Sequence, residues 1–521
     1  MTFSVSSLSQ QATIGLEENF FSRLTRDWHK HEQKALFLLP NQTDITYGEA
    51  IDLTRKLAAV LIGLGVEPGD RVAVQVDKSP MAVLLYLACI QVGGVYLPLN
   101  TSYTQTEIAY FVDDAAPRLF VHRPESKPDF SQTTGHDQLR LVSMDAYGLG
   151  SLTQNLGQVK PLIKITSVAA DDLAAILYTS GTTGRSKGAM LSHSNLASNC
   201  QALIDCWRFG EQDVLIHALP IFHIHGLFVA CNMALASTSS MVFLADFKPQ
   251  EVLDCLSQAT VLMGVPTFYT RLLKLPGLSK QSCKNLRLFV SGSAPLAVDT
   301  HEQFYRRTGQ TVLERYGMTE TGMICSNPYD GKRKAGTVGS PLTGVEVRIV
   351  DRATSVTLPQ SEVGIIEVRG PNVFKGYWRM PEKTVREFRE DGFFITGDLG
   401  LIDVEGYLHI VGRDKDLVIS GGYNIYPKEV ELQIDALDGV LESAVIGLPH
   451  EDFGEAVTAV VVLTEGSVLQ ASDIKHQISL NLAKYKQPKQ VLMIDALPRN
   501  TMGKVMKNEL RNIYKEMYYG T

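Results

Sequence analysis

The stretch Tyr178–Gly188, "YTSGTTGRSKG", crowds glycines, hydroxyls and one lysine into eleven residues directly after the apolar run "LAAIL". Together those residue types handle phosphate. Glycines let backbone N–H groups close on an anion, hydroxyls add donors, and Lys187 supplies charge. The spacing is not that of the P-loop, G-x-x-x-x-G-K-[ST]. Counted from Gly181, the second glycine position holds Ser186 and the residue after Lys187 is Gly188, so two of the four fixed positions fail. More candidates lie downstream: Thr319 and Glu320 in "RYGMTET", Asp398 in "TGD", Arg413 and Lys415 in "GRDKD", Lys504 in "PRNTMGK". Singly, each has a plain structural reading: a hydroxyl–acid pair at a helix start, an acid in a turn, a solvated lysine. His223 and His225 in "FHIHG" form an H-x-H pair with no third ligand nearby, too few for a structural metal site.

Such scattered groups need a large scaffold to bring them together. The chain has 521 residues, 45% hydrophobic and 20% charged, more than one core supports, so two or more domains are expected. A net charge of −7 argues against a dedicated nucleic-acid binder but leaves room for a nucleotide. The pattern alternates helix and strand. "YGEAIDLTRKLAAVLIGLG" reads as a helix ending at Gly65 and "DRVAVQV" as a strand; "MAVLLYLACIQVGGVYLPLN", "PQEVLDCLSQATVLMGV" and "NLRLFVSGSAPL" repeat the theme. "GLGVEPG" follows a helix rather than a strand, which rules out a dinucleotide fingerprint. The result is an α/β fold, with helices covering sheets. After about residue 340 come short strands and turns, "GVEVRIVD", "GIIEVRG" and "GYLHIVG", a smaller β subdomain. Beyond Arg413 an α+β pattern resumes, so the expected division is 1–412 and 413–521.

The span Gly226–Ala245 carries no charge over a membrane-helix length, but Asn232 and "STSS" interrupt it, giving a buried helix followed by a strand. Seven cysteines, an odd number with no C-x-x-C pair, suggest neither a disulfide framework nor a zinc ribbon. The N-terminus lacks the basic start and apolar core of a signal peptide, and no arginine precedes Arg23. A reducing, cytoplasmic setting is the expectation.

In combination the motifs say more than they do singly. "YTSGTTGRSKG", "RYGMTE", "TGD", "GRDKD" and "PRNTMGK" stand in the order found in adenylate-forming enzymes, and the chain resembles that superfamily of acyl-CoA synthetases, luciferases and peptide-synthetase adenylation domains over nearly its whole length. One departure is Ser186, where the family often has proline. The resemblance implies a two-step reaction. A carboxylate attacks the α-phosphorus of ATP, releasing pyrophosphate, and a thiol then displaces AMP. By this likeness Thr179, Ser180, Gly181, Thr182, Thr183, Gly184 and Lys187 hold the β- and γ-phosphates, Glu320 helps hold Mg²⁺, and Thr319 contacts the α-phosphate. Ser293 and Ala294 of "VSGSAPL" pass along the adenine, Glu314, Arg315 and Tyr316 finish its pocket, and Asp398 with Arg413 takes the ribose hydroxyls. Lys504 acts on the transition state of the first step, from a small C-terminal domain that rotates about Lys415 between steps. Gly421 and Gly422 of "SGGYNIYP" let the pantetheine arm of CoA pass.

Longer strings, "LPIFHIHGLFVA", "LMGVPTFYTRLL", "RYGMTETGMICSNPYDG" and "GPNVFKGYWRMPEKT", resemble malonyl-CoA synthetases in particular. Malonate keeps a second carboxylate after activation, and burying it without a partner is costly, so the acyl pocket needs a cation. Arg271 in "VPTFYTRLL" is the expected one, with His223, Ser291 and Met318 lining the pocket and His223 bordering the thiol path. The expected activity is ATP-dependent malonate–CoA ligation with Mg²⁺, with ATP and CoA as co-substrates. Another small or aromatic acid, such as methylmalonate, oxalate or a cinnamate, is the alternative. A binding module that activates nothing is disfavoured by Lys504 and the intact loops. A peptide-synthetase domain is disfavoured by the thiol-loop glycines, which suit free CoA, and no carrier domain is expected after Thr521.

Overall fold

The computed structural model describes residues 19–40, 42–126, 128–131, 133, 138–179, 186–421, 423–500 and 503–518. The first long helix, Tyr47–Gly63, starts at a capping box in which the Thr46 and Glu49 side chains take each other's backbone N–H groups. Gly65 follows it with φ +80°, the left-handed stop expected there. The helix Pro80–Gln91 is apolar all round and buried, and the strand Val95–Pro98 follows.

Among the described residues there are four sheets. In a six-stranded sheet the parallel strands Arg71–Gln75, Val95–Pro98 and Leu173–Thr179 end at an antiparallel edge, Lys187–Ser192. Thr179 pairs directly with Lys187, so the phosphate stretch is the connection of this hairpin. In a nine-stranded sheet Ser240–Phe243, Val214–His217, Val261–Gly264, Leu288–Ser291 and Val312–Met318 lie side by side, all parallel. Both sheets share one large core that takes in Trp28, Tyr86, Trp207, Phe228 and Phe289. The uncharged span resolves into a π-helix, His225–Cys231, a helix, Asn232–Ala236, and the strand Ser240–Phe243. No helix among the described residues is long and apolar enough to cross a membrane.

The short strands after residue 340 form an antiparallel sheet of Glu346–Val350, Gly364–Arg369, Phe394–Ile402 and Leu408–Arg413. From Val418 onward a five-stranded sheet and the helices Pro427–Asp435, Ala471–Ser479 and Lys507–Tyr514 carry hydrophobic clusters drawn only from residues 418–518. All seven cysteines are free thiols.

Candidate active site

The candidate residues gather at the carboxyl ends of the parallel strands, where open α/β sheets leave a crevice. On the phosphate side Lys187 is 7% exposed, with its ammonium 4.5 Å from the Tyr377 ring centroid and 3.6 Å from Glu387 Oε1. Burial lowers its pKa, and Glu387 opposes that shift. Ser180, Gly181, Thr182, Thr183 and Gly184 lie outside the described residues. The segment 374–378 docks along the lysine's strand: Lys375 N donates to Met190 O, Met190 N to Gly376 O, and Trp378 N to Gly188 O. It also reaches Glu320, whose backbone oxygen accepts from Phe374 N at 2.8 Å. Tyr377 Oη lies 3.0 Å from Glu320 Oε1 and 2.8 Å from Glu387 Oε2, so one phenolic hydrogen serves two carboxylates.

Thr319 and Glu320 stand in the turn between the antiparallel strands Val312–Met318 and Gly322–Ser326, not at a helix start. Glu320 is 6% exposed, and burial raises its pKa. Among the described residues no three His, Cys, Asp or Glu side chains are placed to enclose a metal. A small divalent cation that keeps waters and takes oxygens from a triphosphate needs only one or two carboxylates, and Glu320 fits that role.

On the ribose side Asp398 and Arg413 pair directly across two strands, with Arg413 Nε 2.7 Å from Asp398 Oδ1. Tyr316 donates its hydroxyl to the other Asp398 oxygen, leaving its ring face for a base. Asp398 N donates to Thr396 Oγ1, which holds the backbone that carries this carboxylate. Ser293 has φ +70°, strain of the kind that collects at binding sites. Ala294 is half-buried beside it. Glu314 does not point at this pocket's centre. Its carboxylate accepts from Gly336 N at 3.1 Å and from Leu296, bracing the "SAPL" loop, and burial raises its pKa to about 7.

On the acyl side Arg271 lies on the exposed face of the helix Pro266–Leu273, one turn from Thr267, while the buried residues of that helix are Phe268, Tyr269 and Leu272. The buried guanidinium is that of Arg315, expected on the adenine side. It is 4% exposed, and its Nε and Nη2 have no hydrogen-bond partner among the described residues. Gly292 makes room for it: a Cβ there would sit 2.3 Å from the guanidinium carbon. Burial lowers the Arg315 pKa to about 9, which leaves it cationic at neutral pH. Around it stand neutral groups. His223 has its pKa lowered to about 4, by burial and then by Arg315. His225 is fully buried and pushed far lower by the same two causes, with Nδ1 3.4 Å from Ser293 Oγ and Nε2 without a hydrogen-bond partner among the described residues. Ser291, paired in register with Glu314, has a buried Oγ with no hydrogen-bond partner among the described residues, and Met318 is half-buried at its strand's end. His225 opens the π-helix His225–Cys231, a form that recurs at functional sites, and Gly226 in it allows a very close approach to Pro220 O.

The model of the AMP-binding enzyme family matches residues 24–378, and that of the AMP-binding enzyme C-terminal domain matches 429–504. The chain belongs to the AMP-binding enzyme family. It is similar to the mitochondrial malonate–CoA ligase of Mus musculus, 35% identical over 91% of this chain and 87% of that protein. Among solved structures it is similar to ATP-bound MatB from Rhodopseudomonas palustris, 54% identical, covering 96% of this chain and 99% of that one, with a TM-score of 0.94. Against the same protein without ligand the TM-score is 0.82.

In this AMP-binding enzyme the small C-terminal unit stands close to the site. A Cβ on Gly503 would lie 3.6 Å from the Thr267 side chain, and Lys504 next to it is near Asp398 and Arg413. Although Lys504 keeps solvent contact, the protein around its ammonium and the Arg413 charge lower its pKa to about 8, against the pull of Asp398 and Asp416. Lys415 lies between two anchored acids. Asp414 Oδ1 is 3.0 Å from Arg352 Nε on the large side, and Asp416 Oδ1 is 2.7 Å from Arg511 Nη2 on the small side. Gly421 has φ +56° and its N donates to Phe453 O, while Gly422 lies outside the described residues. Sequence reasoning missed Tyr377 and Glu387. Both stand in or next to the quoted "GPNVFKGYWRMPEKT" string, but their partners are far away in the chain.

Proposed function

We propose that this chain ligates malonate to coenzyme A through malonyl-adenylate, yielding malonyl-CoA, AMP and pyrophosphate. The observation that carries the choice of acid is Arg315, a buried guanidinium beside His223 and His225 with two nitrogens that have no hydrogen-bond partner among the described residues. An unpaired buried charge is costly, and a second carboxylate on the substrate compensates it. A monocarboxylate with an apolar tail leaves it uncompensated.

The rest of the site follows from charge. Asp398 and Arg413 take the ribose, Tyr316 offers its ring to the base, and Ser293 and Ala294 run along the base's edge. Thr179, Lys187 and the loop between them hold the β- and γ-phosphates, and Thr319 the α-phosphate. Mg²⁺, when bound at Glu320, neutralises phosphate charge. Lys504 stabilises the negative charge that builds on the α-phosphate as the carboxylate oxygen attacks and pyrophosphate leaves. The CoA thiol then attacks the acyl carbon and AMP departs, with the unit 413–521 turned about Lys415 and the 421–422 glycines at the thiol path. The higher TM-score against the ATP-bound relative than against the ligand-free one supports reading this arrangement as the first step's.

The test is AMP release by purified enzyme with ATP, CoA and Mg²⁺ against a panel of malonate, methylmalonate, oxalate, butyrate and a cinnamate. Malonate is expected to give the highest kcat/KM; butyrate or a cinnamate in first place overturns the reading.

A further inference from the structure

Glu387 is an acid beside a phosphate site, where simple repulsion makes it look harmful. Its placement says otherwise. It ends the helix Pro381–Glu387 with one oxygen 2.8 Å from Tyr377 Oη and the other 2.7 Å from Lys383 Nζ. Tyr377 is itself buried and locked to the lysine's strand by the backbone pairing of 374–378. The carboxylate is therefore held rigidly by two partners that are not Lys187. Lys187 Nζ sits 3.6 Å from it, beyond hydrogen-bond length but well within Coulomb range. At that distance a fixed negative charge opposes the desolvation of the ammonium without occupying any of its three N–H groups. Lys383 and Glu320 are the other charged groups facing Lys187: the first disfavours its charge, the second favours it.

We propose that Glu387 is a positioning residue: a fixed counter-charge, anchored by Tyr377 and Lys383, that keeps Lys187 protonated and its donors free for the triphosphate. The inference rests on the nucleotide reading above. It concerns only the β- and γ-phosphate end, so AMP, which lacks those phosphates, serves as the internal control.

The experiment is direct binding, without acid or CoA, of ATP and of AMP to wild type and to Glu387→Gln. The proposal expects the ATP Kd to rise about tenfold in the variant, with the AMP Kd unchanged. The ATP defect is expected to deepen as pH is raised from neutral, because Lys187 without its counter-charge loses its proton more readily, and to persist when Mg²⁺ is chelated. Tighter ATP binding would show Glu387 to be merely repulsive. An unchanged Kd would remove its role, and a defect that vanishes with chelation would make it a cation ligand instead. Should Glu387→Gln fail to bind AMP, Glu387→Asp reads the same contrast with the charge kept but withdrawn, and an intermediate ATP defect is expected. Wild type that binds neither nucleotide would sink the function itself rather than this inference.

Discussion

Arg413 and Asp398 face each other as direct neighbours on two antiparallel strands, 2.7 Å apart from Nε to Oδ1, with the Tyr316 hydroxyl closing the second oxygen. The pair does two tasks. It fixes the carboxylate that the proposed function gives to the ribose hydroxyls, and it neutralises an arginine beside Lys504. Asp398→Ala removes the acceptor and leaves Arg413 uncompensated, at a cost of about 3 kcal/mol, the lower end for a broken buried pair because Arg413 keeps some solvent contact. ATP and AMP binding are both expected to weaken by about a hundredfold. Titration calorimetry with each nucleotide checks this; a loss confined to ATP would move the defect to the phosphates.

Lys504 separates the two half-reactions. Lys504→Ala is expected to lower malonate-dependent pyrophosphate exchange by about a hundredfold or more, as loss of a transition-state donor does. CoA attack on supplied malonyl-AMP is expected to continue. Equal losses in both would indicate a shared or structural role.

The pH profile of the same step follows from its pKa. Lys504 is lowered to about 8 and acts as the ammonium, so kcat/KM for exchange falls as pH rises through about 8. Bound triphosphate favours the ammonium and moves the limb in kcat to higher pH. Lys504→Arg, if active, is expected to lack the limb, because a guanidinium does not deprotonate there. A limb that survives in Lys504→Arg belongs to another group.

The pivot makes the opposite prediction. Lys415 lies between Asp414, tied to Arg352, and Asp416, tied to Arg511, so rotation of the small unit must be absorbed between them. Lys415→Pro fixes φ and removes a backbone donor. Malonyl-AMP formation is expected to persist while thioester formation collapses. Normal turnover of both steps would place the pivot elsewhere.

The family was legible because its phosphate chemistry needs glycine, hydroxyl, lysine and acid in short contiguous runs. The strand–helix alternation was legible for the same local reason. The substrate cation is where sequence pattern and burial point to different residues, Arg271 and Arg315. In "VPTFYTRLL" the buried residues Phe268, Tyr269 and Leu272 mark the inner helix face, and Arg271 is off that stripe. In "LERYGM" strand alternation turns Arg315 away from the side of Glu314 and Tyr316, against Gly292. The Thr319–Glu320 pair reads as a helix start until Gly317 and Gly322, which flank it, are read as hairpin glycines. Tyr377 and Glu387 could not be found locally, because Glu320 and Lys187 lie about 60 and 200 residues away and only packing joins them.

The substrate assignment stands on Arg315, and one ratio tests it: kcat/KM for malonate over that for butyrate, in wild type, Arg315→Met and Arg271→Ala. Removing one partner of a buried charge pair costs about 3–5 kcal/mol, so Arg315→Met is expected to lower the ratio by about 10² to 10⁴ with little change in the KM for ATP. Butyrate, which has no second carboxylate, is expected to lose nothing. Arg271→Ala is expected to keep the ratio within about threefold, as an exposed charge does. A ratio preserved in Arg315→Met, or one that collapses in Arg271→Ala, contradicts the account.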